Sequence, residues 1–77
     1  MTLHRNLVCH FRLLGGEHLY SYRCVERPRL RINRHSRGGR VLDTSYWIEA
    51  DEEARYFESL EAALEALDAL EAVERAS

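Results

Sequence analysis

The sequence predicts an α+β fold: an antiparallel sheet of four strands, or five, in a hairpin meander, with one face covered by a single C-terminal amphipathic helix. Three patterns predict it. Apolar and polar residues alternate with period two through most of the first fifty positions. Two Gly-Gly pairs, Gly15-Gly16 and Gly38-Gly39, interrupt that alternation where hairpins need turns. From Ser59 onward the apolar spacing changes to three and four, as on one side of a helix.

The first strand spans about 3–14. Its odd positions read Leu3, Arg5, Leu7, Cys9, Phe11 and Leu13, while His4, Asn6, His10 and Arg12 fall on even ones. A second strand spans about 19–27. A two-residue type II′ turn at Gly16-Glu17 would set Phe11 opposite Tyr22, Leu13 opposite Tyr20 and Cys9 opposite Cys24, which matches apolar with apolar. In that register the two cysteines lie about 5.5 Å apart at Cα, within reach of a disulfide. Free, buried thiols are the preferred reading, because a reducing cytosol disfavours the bridge.

Pro28 suits a strand start, and a third strand spans about 29–36. Strand four spans about 41–50. A Gly38-Gly39 turn of two residues would set Leu30 against Trp47 and Arg31 against Tyr46. A connection longer by one residue pairs Leu30 with Ile48, Ile32 with Tyr46, Arg31 with Trp47 and Arg29 with Glu49. The second arrangement puts like beside like and charge beside opposite charge, so it is preferred, with a glycine in the left-handed region as in a bulged hairpin. Asp51-Glu52-Glu53 is a polar turn, and 54–57 would add a short edge strand. The helix spans about 59–75, with Ser59 as N-cap and Glu61 in the first turn. Leu60, Ala63, Leu64, Leu67, Leu70 and Val73 form its apolar stripe.

With 77 residues the chain is one domain, 1–77, with a thin core; such a chain buries only about 60% of its unfolded surface. Hydrophobic content of 45% excludes intrinsic disorder. No apolar run approaches the roughly 18 residues of a membrane span, and no signal peptide is visible at the start. A cytoplasmic location is expected, in a host cell if the gene is viral.

All eleven basic residues are Arg, which fits a GC-rich coding sequence. The net charge of −2 conceals a division: residues 1–40 carry nine Arg against Glu17 and Glu26, a balance of +7, and residues 41–77 carry −9. A division of that size can guide association with a charged partner.

Catalytic signatures are absent. Neither glycine pair opens a helix as a phosphate loop would, no serine sits in a nucleophile elbow, and the helix acids are spaced as a solvated face. The cysteines and His4, His10, His18 and His35 lack the close spacing of a structural zinc site. No enzyme activity, metal or cofactor is therefore expected. The feature that stands out is the sheet face away from the helix, which the alternation assigns His10, Arg12, Arg23, Arg27, Arg29, Arg31 and Asn33, with Trp47 beside Arg31. Arg37 and Arg40 add charge at a hairpin tip. Arg, Trp and Tyr together are the residue mix of binding hot spots. Glu49, Asp51, Glu52 and Glu53 form a second, acidic candidate surface.

Two functions fit these observations. The first is a non-enzymatic protein-binding module or inhibitor. In size and divided charge, with no motif behind the likeness, the chain resembles the small proteins that phages and mobile elements encode against host defences, the anti-CRISPR proteins among them. That resemblance implies a host nucleoprotein complex as the partner. The second is a nucleic-acid-binding domain. Three strands followed by a helix resembles, in topology, the AP2-type and integrase arm-type domains over residues 19–76, which implies Arg29, Arg31, Asn33 and Trp47 as base readers and Arg37 and Arg40 as phosphate contacts. The acidic second half weighs against a long duplex, and protein binding is preferred. Pairing of two copies is left open.

Overall fold

The computed structural model describes residues 3–50 and 54–76. Along the chain come β1 (Arg5–Arg12), a short 3-10 turn (Leu14–Gly16), β2 (Glu17–Cys24), β3 (Leu30–Arg37), β4 (Arg40–Glu49), β5 (Ala54–Phe57) and α1 (Leu60–Ala76). The strands form one antiparallel sheet in the order β1-β2-β3-β4-β5, each paired with its neighbour in sequence. The α+β meander is present, and the short fifth strand belongs to it.

The β3–β4 hairpin combines both registers read from the sequence. Gly38 and Gly39 have φ of 59° and 78°, the two positive values that a two-residue type I′ turn requires. Arg37 accordingly faces Arg40, and Ser36 faces Val41. A bulge then leaves Leu42 without an opposite residue, and beyond it His35 faces Asp43, Ile32 faces Tyr46, Arg31 faces Trp47 and Leu30 faces Ile48. Over the core the apolar-matched register holds. The extra residue sits in a bulge and not in a longer loop.

The β1–β2 hairpin differs from the expectation. Its loop is Leu14-Gly15-Gly16, closed by the Leu13 amide donating to the Glu17 carbonyl at 2.8 Å. Both glycines have positive φ, so the turn centres on Gly15. Phe11 faces Leu19, His10 faces Tyr20 and Cys9 faces Ser21. The pairing has moved by three residues, an odd number, which reverses the face of β1 relative to β2. A bulge at Val8 moves it once more, so that Leu7 faces Tyr22 and Arg5 faces Cys24. Cys9 and Cys24 therefore lie on opposite faces as free thiols, Cys24 buried and Cys9 half-buried. The geometry for a bridge between them is gone.

The core is small and lies at one side of the sheet. Cys24, Leu30, Ile48, Ala63 and Leu67 are fully buried, with Leu3, Tyr46, Phe57, Leu60, Leu64, Ala66 and Leu70 packed around them. Ser59 caps α1: its hydroxyl accepts from the Ala62 amide at 3.2 Å, and its carbonyl accepts from the Ala63 amide at 3.1 Å. The stripe expected to include Val73 ends at Leu70, since Val73 is largely exposed. The helix rests on β3, β4 and β5. β1 and most of β2 extend beyond it uncovered. Among the described residues no helix is long and apolar enough to cross a membrane.

Candidate partner-binding surface

Register assigns every strand side chain to one of two faces. The outer face, away from α1, carries Arg23, Arg31, Asn33, His35, Arg37, Trp47, Glu49, Tyr56 and Glu17. Arg23, Arg31, Asn33, Arg37 and Trp47 are thus gathered as the alternation expects, but their charge is not free. The Glu49 carboxylate lies 2.6 Å from Arg31 Nη2 and 3.9 Å from Arg23. Glu17 lies 3.1 Å from His35 and 3.9 Å from Arg37, and Asp43 lies 3.7 Å from His35. Arg31 stacks over Trp47 with its guanidinium carbon 5.4 Å from the ring centroid, and Trp47 in turn touches Tyr56. Arg31 is the most deeply set of these arginines, and its Nε is buried with no partner among the described residues. Arg40 faces Arg37 at the tip. The outer face is a mixed, largely neutralised surface.

Four residues expected there are elsewhere. Residues 25–29 form a bend and turn between β2 and β3, closed by the Leu30 amide donating to the Arg27 carbonyl at 2.8 Å. Strand alternation therefore does not govern Arg27 or Arg29. Both reach α1 instead: Arg27 donates to Asp68 at 2.8 Å and Glu71 at 3.3 Å, and Arg29 pairs with Glu74 while its Nε donates to the Glu49 carbonyl at 2.9 Å. The hydrogen bond to Asp68, and then that to Glu71, holds the Arg27 guanidinium above its ordinary pKa. These contacts join part of the basic half to part of the acidic half within the fold. His10 and Arg12 are displaced by the β1 register, lying opposite Tyr20 and His18 on the helix face. Of the acidic candidates, Glu49 is on the outer face, and Asp51, Glu52 and Glu53 lie outside the described residues.

The helix face beyond α1 holds what the sequence reading missed. In one cross-strand row His10, Tyr20 and Arg34 are adjacent, in the next Arg12, His18 and Ser36, and Tyr22 stands in the row toward the core. His10 stacks on Tyr20 with centroids 4.4 Å apart and planes 8° from parallel. His10 Nε2 and His18 Nδ1 share a hydrogen bond of 2.8 Å, and Tyr20 stacks on Tyr22. Arg34 lies 5.7 Å and 5.5 Å from the centroids of Tyr20 and Tyr22 and donates to the Tyr22 hydroxyl at 2.9 Å. Arg5 covers Tyr22 from 4.7 Å. Among the described residues Arg5, Arg12 and Arg34 have no ion pair, in contrast to Arg23, Arg27, Arg29, Arg31 and Arg37.

Because Tyr20 and Tyr22 are already engaged by imidazole, guanidinium and each other, the flank offers guanidinium forks, hydroxyls and imidazole nitrogens. Such donors suit carboxylate or phosphoryl oxygens. The signal was present in the sequence, since Tyr20, Tyr22 and Arg34 share one parity and residues 1–16 contain no acid. Placing His10 and Arg12 beside them required the three-residue loop. Among the described residues no three His, Cys, Asp or Glu side chains converge as a metal site would need.

The fold and surface define a small α+β meander whose single helix leaves a basic-aromatic flank open. No family model matches the chain, and no curated protein or solved structure is significantly similar to it.

Proposed function

We propose that the chain is a small non-enzymatic protein-binding module. Its contact surface is the uncovered flank of the helix face, centred on Arg5, Arg12, Arg34, Tyr20 and Tyr22, and its partner presents an acidic surface. One observation carries this reading. Arg5, Arg12 and Arg34 cluster on one flank with no carboxylate partner among the described residues, while Arg23, Arg27, Arg29, Arg31 and Arg37 hold theirs; Arg40, Arg55 and Arg75 also lack one but stand apart from any such cluster. An arginine whose charge is already offset by a carboxylate gains less from a second one, whereas an unpaired one supplies a new charge contact directly. Tyr and Arg are also the residues in which binding energy concentrates. Inhibition of a host nucleoprotein complex, as an anti-CRISPR-like protein would achieve it, is the finer form of the same proposal, with this flank seated on an acidic protein component.

Nucleic-acid reading by the outer face is the weaker alternative. It requires Arg29 and Arg31 as base readers, yet Arg29 is held by α1 and Arg31 by Glu49 and Trp47. The stacked rings of the flank likewise offer no vacant platform of the kind that binds single-stranded bases.

Three immobilised baits test the reading in an extract of the source cell: the natural chain, the pair Arg5→Glu with Arg12→Glu, and the pair Arg23→Glu with Arg37→Glu. The expected result is a protein retained by the first and third baits, lost from the second, and unaffected by nuclease. Capture that follows the outer-face pair, or that vanishes with nuclease, would overturn the proposal. The nuclease outcome would favour the nucleic-acid alternative.

A further inference from the structure

A hollow of about 240 Å³ opens beside the flank, lined by Tyr20, Arg34, Ser36, Gly39 and Val41. It is smaller than the ~300–1,000 Å³ clefts that take drug-sized ligands, so it suits a single functional group better than a whole cofactor. Its lining contains one formal charge, that of Arg34, and no acid. Arg34 is half-buried, and a guanidinium withdrawn from water without a counter-charge is unfavourable until an anion joins it.

The guanidinium is also oriented before any ligand arrives. The Tyr22 hydroxyl fixes its Nη2 at 2.9 Å, and the rings of Tyr20 and Tyr22 lie within 6 Å of its central carbon. That leaves its remaining N–H groups for a ligand in a set direction, which lowers the ordering cost of binding. Ser36 adds a hydroxyl on the neighbouring row, opposite His18. On the outer face the deeply set Arg31 is, by contrast, already engaged by Glu49.

We infer that this hollow is an oxyanion site that seats a carboxylate or phosphoryl group carried by a side chain of the protein partner, with Arg34 as its binding group. The inference rests on the proposed protein-binding function and deepens it by naming the chemistry recognised at one point of the surface.

Two-dimensional NMR of the whole chain tests it, with sodium phosphate, sodium acetate and sodium chloride titrated separately at matched ionic strength. The expected result is saturable shifts at the Ser36, Gly39 and Val41 amides and at Arg34 Nε–H with phosphate or acetate, but not with chloride. Whichever of the two anions binds more tightly identifies the group. Arg34→Gln should weaken binding roughly tenfold or more, the loss of one charged hydrogen-bonded contact, while Arg37→Gln leaves it unchanged. Ser36→Glu, which sets a carboxylate beside Arg34, should abolish binding without relying on loss of the arginine. No saturable shift, or equal shifts in Arg34→Gln, Ser36→Glu and the natural chain, overturns the inference. If the protein partner is still lost from the Arg5 and Arg12 variant when no anion binds the natural chain, the proposed function stands and the oxyanion site alone has failed. If the anions bind but the baits retain no protein, the failure belongs to the proposed function.

Discussion

The helix face of the sheet is one surface with two chemistries. Under α1 it presents Leu30 and Ile48, both fully buried with Cys24. Beyond α1 the same strands, at the same parity, present Arg34 on β3 and Tyr20 and His18 on β2, joined by His10 and Arg12 from β1. Two residues of travel along β3, from Ile32 to Arg34, separate core from charge. A domain with one helix can dry only as much sheet as that helix spans, so composition changes where cover ends. The uncovered part is where Arg5, Arg12 and Arg34 hold no carboxylate among the described residues, and where the proposed partner would sit.

The sharpest way to break this comparison is to truncate one side chain on each part. Leu67→Ala empties the centre of the covered half and should cost about 2–5 kcal/mol, a large share of the stability of so small a domain. Arg5→Ala, which removes only the cover over Tyr22, should cost no more than about 0.5–1 kcal/mol. Urea denaturation followed by circular dichroism measures both, and similar losses would mean that the flank is part of the core.

The helix that divides the two parts depends on its start. Ser59→Ala removes the acceptor of the Ala62 amide and should lower stability by about 1 kcal/mol in the same experiment. A neutral result would show that the cap does not hold α1 in place.

Smaller still is the link that ties the basic loop to the acidic helix. A double-mutant cycle on Arg27 and Asp68 should give a coupling of about 0.5 kcal/mol that fades in high salt, as expected where the carboxylate is mostly exposed. A coupling that persists unchanged at 1 M salt would indicate a much drier contact.

The smallest effect concerns β1. The Glu26 carboxyl is held below its ordinary pKa, first by the His4 backbone N–H and then by the His4 ring. A depressed carboxylate pKa favours the folded state above the unfolded value, and that contribution is lost as pH falls through the folded one. Carbon-detected NMR should therefore place the Glu26 midpoint below that of an unfolded peptide. His4→Ala should raise it only part of the way, because the backbone donor remains; full return would assign the effect to the ring alone.

Much of the fold was legible because its determinants are local or strongly matched. The Ser59 cap and the leucine spacing place α1, and the pairing of Leu30 with Ile48 and Ile32 with Tyr46 selects the β3–β4 register whatever device supplies the extra residue. The β1–β2 register was not legible. Leu7, Phe11, Leu19 and Tyr22 can be matched in more than one way; an odd shift of the loop decided which face received His10 and Arg12, and the bulge at Val8 set Arg5 and Leu7 on that same face. Arg27 and Arg29 were misplaced for a different reason. Period two was extended through Pro28 into a turn, where side chains follow the nearest opposite charge and not the pleat. Of the arginines that the alternation set on the face away from α1, Arg23 and Arg31 lie there, Arg12 lies on the other face, and Arg27 and Arg29 turn to α1.

A chemical-shift titration with a glutamate-rich peptide, set against a lysine-rich control, tests most directly that the uncompensated flank is the contact surface. The account expects the glutamate peptide to shift Arg5, His10, Arg12, His18, Tyr20, Tyr22 and Arg34, and the lysine peptide to leave them unmoved. Shifts centred on Arg23, Arg31 and Arg37 would contradict it.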